Sequence, residues 1–248
     1  MSDEPIIRTL NSRVTLLSKP FTRLSLFHIG GRASLIQMQS KKLAVFSPVA
    51  LTPNVRQKVE QLGNRVEYLI APDFEHHMYI GEWKKHFPSA KVIGVEGLQE
   101  RRKDVHFDHI FTAGKAPESL PDEFREEFEY QYFPGFINKD LALMHKPSRT
   151  LFEADLMFNL PAYEQYSQST SSCTTGFTRL FNLFHWQSTA LKRFLWYVVS
   201  KDRDAMKRDA KVVASWDFDT IVPCHGEVME GNGKNAWLEA YKWFLAEN

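Results

Sequence analysis

The sequence predicts an α/β fold, and three observations carry the prediction. Strand-like and helix-like segments alternate, and the run from Val66 to Ile70, through a helix containing Trp83, to Lys91–Ile93 has the layout of a right-handed strand, helix, strand crossover. A chain of 248 residues with 43% hydrophobic and 13% aromatic content can bury a core larger than that of a minimal domain. The chain shows no self-similarity at the periods of about 20 to 50 residues that mark solenoids and propellers.

Taken in order, the first element is a β-hairpin from Arg32 to Phe46. Apolar Ala33, Leu35, Ile36 and Met38 precede a Gln39-Ser40-Lys41-Lys42 turn, and Leu43, Val45 and Phe46 follow it. Thr52-Pro53 then supplies an N-cap and a first-turn proline. Val55, Val59 and Leu62 fall at helical spacing, and Gly63 stops the run. After the strand Val66–Ile70 comes a polar stretch, Ala71 to His77, and a helix that ends near Phe87-Pro88. Further short strands are expected at Lys91–Ile93, Ile110-Phe111, Glu129–Phe133, Asp140–His145 and Thr150–Phe152, with Pro147-Ser148-Arg149 as a turn.

From Asn159 to Ser200 the pattern changes to a polar loop, Tyr163 to Thr175, and then to helices rich in aromatic residues, including Phe177, Phe181, Phe184, Trp186, Phe194, Trp196 and Tyr197. A helix from Asp202 to Trp216, a strand ending at Thr220–Pro223 and a helix from Ala236 to Leu245 complete the chain. The whole reads as one domain, with a core over about residues 25–230 and a helical insertion over about 160–200.

Bulk charge narrows the function classes. Lys and Arg total 31 against 30 Asp and Glu, so no global field favours nucleic acid or an acidic surface. The start, Met1-Ser2-Asp3-Glu4-Pro5, is acidic and lacks the layout of a secretory signal, and no run approaches the roughly 20 apolar residues of a membrane span. The expectation is a soluble, cytoplasmic protein with no nucleic-acid or membrane partner. Cys173 and Cys224 are too few for a disulfide scaffold and are expected to be reduced.

Of nine histidines, six lack a partner at ligand spacing. His76, His77 and His225 differ, as does Asp155, because each follows an apolar strand or lies in its exit loop, where ligand-binding groups converge in α/β sheets. Asp155 stands between the apolar runs Thr150-Leu151-Phe152 and Leu156-Met157-Phe158, where an ionised carboxylate is costly without a cation. Gly226 permits a tight turn after His225. Three imidazoles and one carboxylate suit zinc, and also iron(II), manganese or nickel.

These stretches, together with Gly31-Arg32, the strand Leu43 to Pro48, Pro134-Gly135 and Ile221-Val222-Pro223-Cys224-His225-Gly226, resemble the metallo-β-lactamase superfamily, and most closely a branch with a histidine pair in place of the full motif. The resemblance implies a four-layer αββα sandwich whose strand-end loops bind up to two metals through His-x-His-x-Asp-His, a later His, a bridging Asp and a final His. Here that motif reads Pro72-Asp73-Phe74-Glu75-His76-His77, and Tyr132 stands where the later histidine precedes Pro134-Gly135. One metal position has thus lost its three histidines. The other is expected to keep four ligands: His76, His77, Asp155 and His225.

The resemblance implies a metal-dependent hydrolase of a small ester, lactone, thioester or amide. One metal, zinc first and iron or manganese next, would activate water. Asp73, Glu75 and Tyr132 are the candidate catalytic groups, with Asp73 and Glu75 also readable as helix-start carboxylates and Tyr132 as a core tyrosine. The aromatic segment is expected to wall a pocket for a small molecule with an apolar or aromatic part, or to form a homo-oligomer contact. Two other readings keep the metal: a mononuclear lyase, isomerase or oxygen-using enzyme, and a non-catalytic protein stapled by a structural metal.

Overall fold

The computed structural model describes residues 4–176 and 178–246. Phe177, one of the expected insertion aromatics, and Met1-Ser2-Asp3 of the acidic start lie outside the described residues. Among the described residues, thirteen strands form two main sheets and a small ribbon. They are β1 (Ile6–Thr9), β2 (Val14–Lys19), β3 (Thr22–Arg23), β4 (Phe27–His28), β5 (Gly31–Gln37), β6 (Leu43–Phe46), β7 (Val66–Ile70), β8 (Lys91–Val95), β9 (His109–Phe111), β10 (Phe128–Phe133), β11 (Asp140–His145), β12 (Thr150–Glu153) and β13 (Thr220–Pro223).

The larger sheet has the order β1-β2-β5-β6-β7-β8-β9, the smaller β10-β11-β12-β13, and β3-β4 is the ribbon. The expected hairpin is β5 and β6, paired Ser34 with Phe46 and Gln37 with Leu43. Its turn closes through Lys41 N–H to the Met38 carbonyl, with Lys41 at φ 64°. From β6 to β9 the pairing is parallel, with the helices Pro53–Gln61 and Ile80–His86 as crossovers.

The core lies between the sheets and on the outer face of each. Phe46 of the large sheet meets Phe152 of the small one at a ring separation of 6.0 Å. Val55, Val59, Ile80 and Trp83 from the two crossover helices join that cluster. Behind the small sheet, the helices Arg203–Ser215, Gly233–Ala240 and Lys242–Leu245 pack a second cluster around Trp237 and Tyr241, whose rings stack at 4.2 Å. Helices therefore cover both outer faces, which is the αββα sandwich.

Three details depart from expectation. The large sheet begins earlier than residue 25, because β1 and β2 add two strands from Ile6 to Lys19. Thr52 occupies the N-cap position, but its hydroxyl bonds Glu4 instead of the helix. The final helix starts at Gly233 and breaks at Tyr241. The 160–200 segment is helical, in short pieces: Tyr163–Tyr166, Thr178–Phe181, Thr189–Arg193 and a π-helical turn, Phe194–Val199.

Candidate metal centre

β12 and β13 run parallel with Glu153 level with Pro223, so Asp155 and His225 leave adjacent strand ends two residues beyond matched positions. His76 reaches the same point from the loop after β7. One ligand atom from each of His76, Asp155 and His225 lies within 4.8 Å of the other two. His76 Nε2 and His225 Nε2 are 3.1 Å apart, and His225 Nε2 is 3.2 Å from an Asp155 oxygen.

The other ring nitrogens fix what those facing atoms can be. His76 Nδ1 lies 2.9 Å from Asp73 Oδ1, and His225 Nδ1 lies 2.6 Å from the Gly30 carbonyl. A carbonyl oxygen and an ionised carboxylate only accept, so both Nδ1 atoms carry the hydrogen. In the neutral tautomers, both Nε2 atoms then present lone pairs to each other. Two lone pairs at 3.1 Å need a cation between them, either a proton or a metal. Donation of Nδ1–H to a carboxylate or a backbone carbonyl is also how metal-bound histidines are oriented.

His225 is held by shape. Gly226 adopts φ +92°, and a Cβ there would come within 2.2 Å of the Asn159 carbonyl oxygen, so only glycine lets these backbones meet. The buried Arg32 donates to the Pro223 and Gly226 carbonyls at 2.7 Å each, and Gln165 bonds the Cys224 carbonyl and the Gly226 N–H. Phe158 stacks on the imidazole at 5.5 Å and Phe21 at 6.0 Å.

Carboxyl groups crowd the floor of this site. Asp73, Asp140 and Glu153 are fully buried, and Asp155 is 5% exposed. Asp140 accepts the Asp155 N–H, Glu153 accepts the Met157 N–H, and Asn138 donates to Asp155 Oδ2 at 2.5 Å. One oxygen of Asp140 and one of Glu153 have no hydrogen-bond partner among the described residues. Burial, aided by the neighbouring Asp73 and Asp155 charges, pushes the Asp140 carboxyl well up, and burial with Asp140 does the same to Glu153. Burial also opposes ionisation of Asp155, but His76, His225 and, more weakly, Arg23 hold its carboxyl below the usual range. For His76, burial favours the neutral ring, yet Asp73 and Asp155 outweigh it and raise the imidazole to about 10. The pocket of anionic groups thus retains positive charge at the point where the two rings meet.

Three of the four expected ligands are brought together, and His77 is not. Its imidazole turns away, and its Nδ1 accepts from Arg102 at 3.0 Å. Burial and the charges of Arg102 and Arg101 keep it neutral by lowering its pKa. Of the expected catalytic groups, Asp73 is buried and occupied, accepting from the Glu75 and His76 backbone N–H groups and from the His76 ring. It orients His76 and is closed to a substrate. Tyr132 is buried on β10 and lines a different hollow with Gln131, Arg208 and Asp209. Glu75 alone faces the site's cavity. In the positions of the missing histidines, Pro72 is buried and Phe74 packs over Gly97, with Arg101 and Lys139 above its ring at 5.7 and 5.4 Å.

His76 and His225 open into a cavity of about 310 Å³. Its walls come from residues 19–23, Gly31-Arg32, residues 47–49, Glu75, Met78 and Tyr79. No described residue of the 160–200 segment lines it, which corrects the expected aromatic wall. That segment instead backs the site, with Phe184 stacked on Phe194 and Phe194 against Phe158. Cys173 and Cys224 are buried free thiols. Sequence reasoning missed Asn138, Asp140, Glu153, Arg32 and Gln165. Arg32 left a trace as part of the Gly31-Arg32 stretch, and Asp140 as the start of an expected strand.

The fold is that of metallo-β-lactamases. DIM-1 metallo-β-lactamase exposed to ceftazidime matches with a TM-score of 0.62 at 11% identity, over 98% of this chain and 99% of that one. FIM-1 from Pseudomonas aeruginosa, in its mono-zinc form, matches at 0.60 and 12% identity, over 98% and 97%. The metal-soaked Flv1 flavodiiron core from Synechocystis sp. PCC6803 matches at 0.66 and 13% identity, over 97% of this chain and 61% of that one. No curated protein matches the sequence. Among the described residues, no helix is long and apolar enough to cross a membrane. Residues 24–194 match the family described as "Domain of unknown function (DUF4336)", and the chain belongs to that family.

Proposed function

We propose that His76, Asp155 and His225 hold one divalent metal ion, zinc first and iron or manganese next, and that the protein hydrolyses a small ester, lactone, thioester or amide. The observation that carries this reading is the pair of Nε2 atoms facing each other at 3.1 Å with both Nδ1 atoms already donating. Two imidazoles and a carboxylate are a donor set suited to zinc, and three protein ligands are the number found in catalytic sites that keep a position open. The turning of His77 toward Arg102 favours the hydrolytic reading over the stapling one, since a fourth protein ligand would close a tetrahedral site.

When bound, such a metal polarises a carbonyl and lowers the pKa of its water to about 7. The remaining tasks fall to the chain. Asp73 and the Gly30 carbonyl fix the ring orientations of His76 and His225. Phe21 and Phe158 cover the faces of His225 and keep water from them. Glu75, the one carboxylate in the cavity lining, is the base in this reading.

The test is metal analysis of protein reconstituted with zinc, iron(II) or manganese, followed by a panel of lactones, thioesters and aryl esters. One equivalent of metal per chain and turnover that a chelator abolishes are expected. Failure to retain stoichiometric metal in all three forms overturns the proposal.

A further inference from the structure

The cavity beside the histidine pair has a one-sided charge. Its lining holds three cations, Lys19, Arg23 and Arg32, and one carboxylate, Glu75. Arg32 is buried and held by two carbonyls and Ser18, while its Nη2 stands 3.5 Å from Glu164 without a hydrogen bond among the described residues. Glu75 faces Arg101 at 4.0 Å. Lys19 and Arg23 make no ion pair and no side-chain hydrogen bond among the described residues; the Lys19 ammonium lies over the Tyr79 ring at 5.9 Å, and Arg23 acts only weakly and at longer range on Asp155.

Unpaired cations on an open surface are ordinary, but these two share one wall of a cleft. Lys19 ends β2 and Arg23 lies on β3, so the segment between them forms that wall. Beside Thr22, Ser47 and the two histidines, the remaining lining is largely apolar, with Phe21, Pro48, Val49, Met78 and Tyr79. Low-dielectric walls concentrate the field of the two cations into the cavity. With one carboxylate, Glu75, against three cations, the lining carries a net positive charge.

We infer that the substrate carries an oxyanion, a carboxylate or phosphate, bound by Lys19 and Arg23, at one end of an apolar body whose reacting carbonyl faces His76 and His225. This inference deepens the hydrolase reading and rests on it for the position of the reacting group. The volume of about 310 Å³ is at the small end of ligand pockets, which restricts the body to a short chain or a single ring.

The test is calorimetric titration with 4-phenylbutyrate, its neutral amide and phenyl phosphate. Each is run on metal-loaded and on chelator-stripped protein, wild type and Lys19→Met/Arg23→Gln. Neither substituted residue is a metal ligand, and Arg23 contributes only the weakest of the charges acting on Asp155, so metal stoichiometry is expected to stay unchanged. In wild type, at least one of the two oxyanions is expected to bind at least about tenfold tighter than the amide in both forms, and the double variant is expected to lose that preference. The stronger oxyanion identifies the group. No preference in stripped wild-type protein, or a preference that survives in the double variant, overturns the inference. A preference that behaves as expected in protein that binds no stoichiometric metal sinks the hydrolase reading alone.

Discussion

The loop after β7 and the loop after β13 each bring a histidine to one point, and they hold it by different means. His225 is fixed by shape: two aromatic faces, the Arg32 and Gln165 bonds to its loop, and a glycine turn that admits no side chain. His76 is fixed by charge, through a buried carboxylate that gathers two backbone N–H groups and the ring. A histidine held by packing keeps its direction whatever its protonation. One held by a carboxylate is coupled to every charge that enters the site.

The largest expected effect comes from removing the packed ring. His225→Ala deletes one ligand and leaves the pocket between Phe21 and Phe158 empty, so stoichiometric metal is expected to be lost outright on dialysis. Retention of a full equivalent by this variant breaks the assignment of the site. Next comes Asp73→Asn, which keeps the size of the side chain but removes the charge. Loss of such a supporting partner is expected to weaken metal affinity about 10- to 100-fold, measured by competition with a chromogenic chelator. An unchanged affinity would mean that His76, like His225, is held by packing.

This contrast also explains what the sequence made legible. Strand ends could be read because β7, β12 and β13 are apolar runs with sharp boundaries, and His76, Asp155 and His225 could be placed by their position after such runs. β2 could not, because it is buried on both faces and interleaves Thr15 and Ser18 with Val14, Leu16 and Leu17, so no alternation marks a solvent side. The split fate of two adjacent histidines was equally hidden, since His77 is turned by Arg102, a residue 25 positions away. Asp140 read as an ordinary strand start, and Glu153 as the residue just past a strand, until the fold put them beneath the same site as Asp73 and Asp155.

A third test uses pH to separate the two holding modes. Asp73 and Asp155 outweigh burial and raise His76 to about 10, so the metal-free protein keeps a proton there that a metal must displace. Metal affinity is expected to rise about tenfold per pH unit between roughly pH 7 and 9. The sign for folding is the opposite. A group whose folded pKa is raised stabilises the fold fully below its unfolded value of about 6.5, and that contribution is lost as pH rises toward 10. Chelated protein should therefore lose Tm across this window. A Tm that holds constant, together with a flat affinity profile, would argue against charge as the means of holding His76.

The smallest expected effect is the sharpest check on the geometry, because it concerns the residue that sequence reasoning ranked beside His76. His77→Ala removes a ring whose Nδ1 serves Arg102 and whose charge is suppressed by Arg102 and Arg101. The cost should fall on stability, about 1 kcal/mol from lost packing and an Arg102 donor left without its nitrogen acceptor. Metal stoichiometry should stay at one per chain, with affinity within about twofold of wild type, as for sites that share no partner. If metal is lost as completely as in His225→Ala, then His77 must swing from Arg102 into the site when metal binds. The position left open for water would then close, and the case for hydrolysis would fall while the metal site stood.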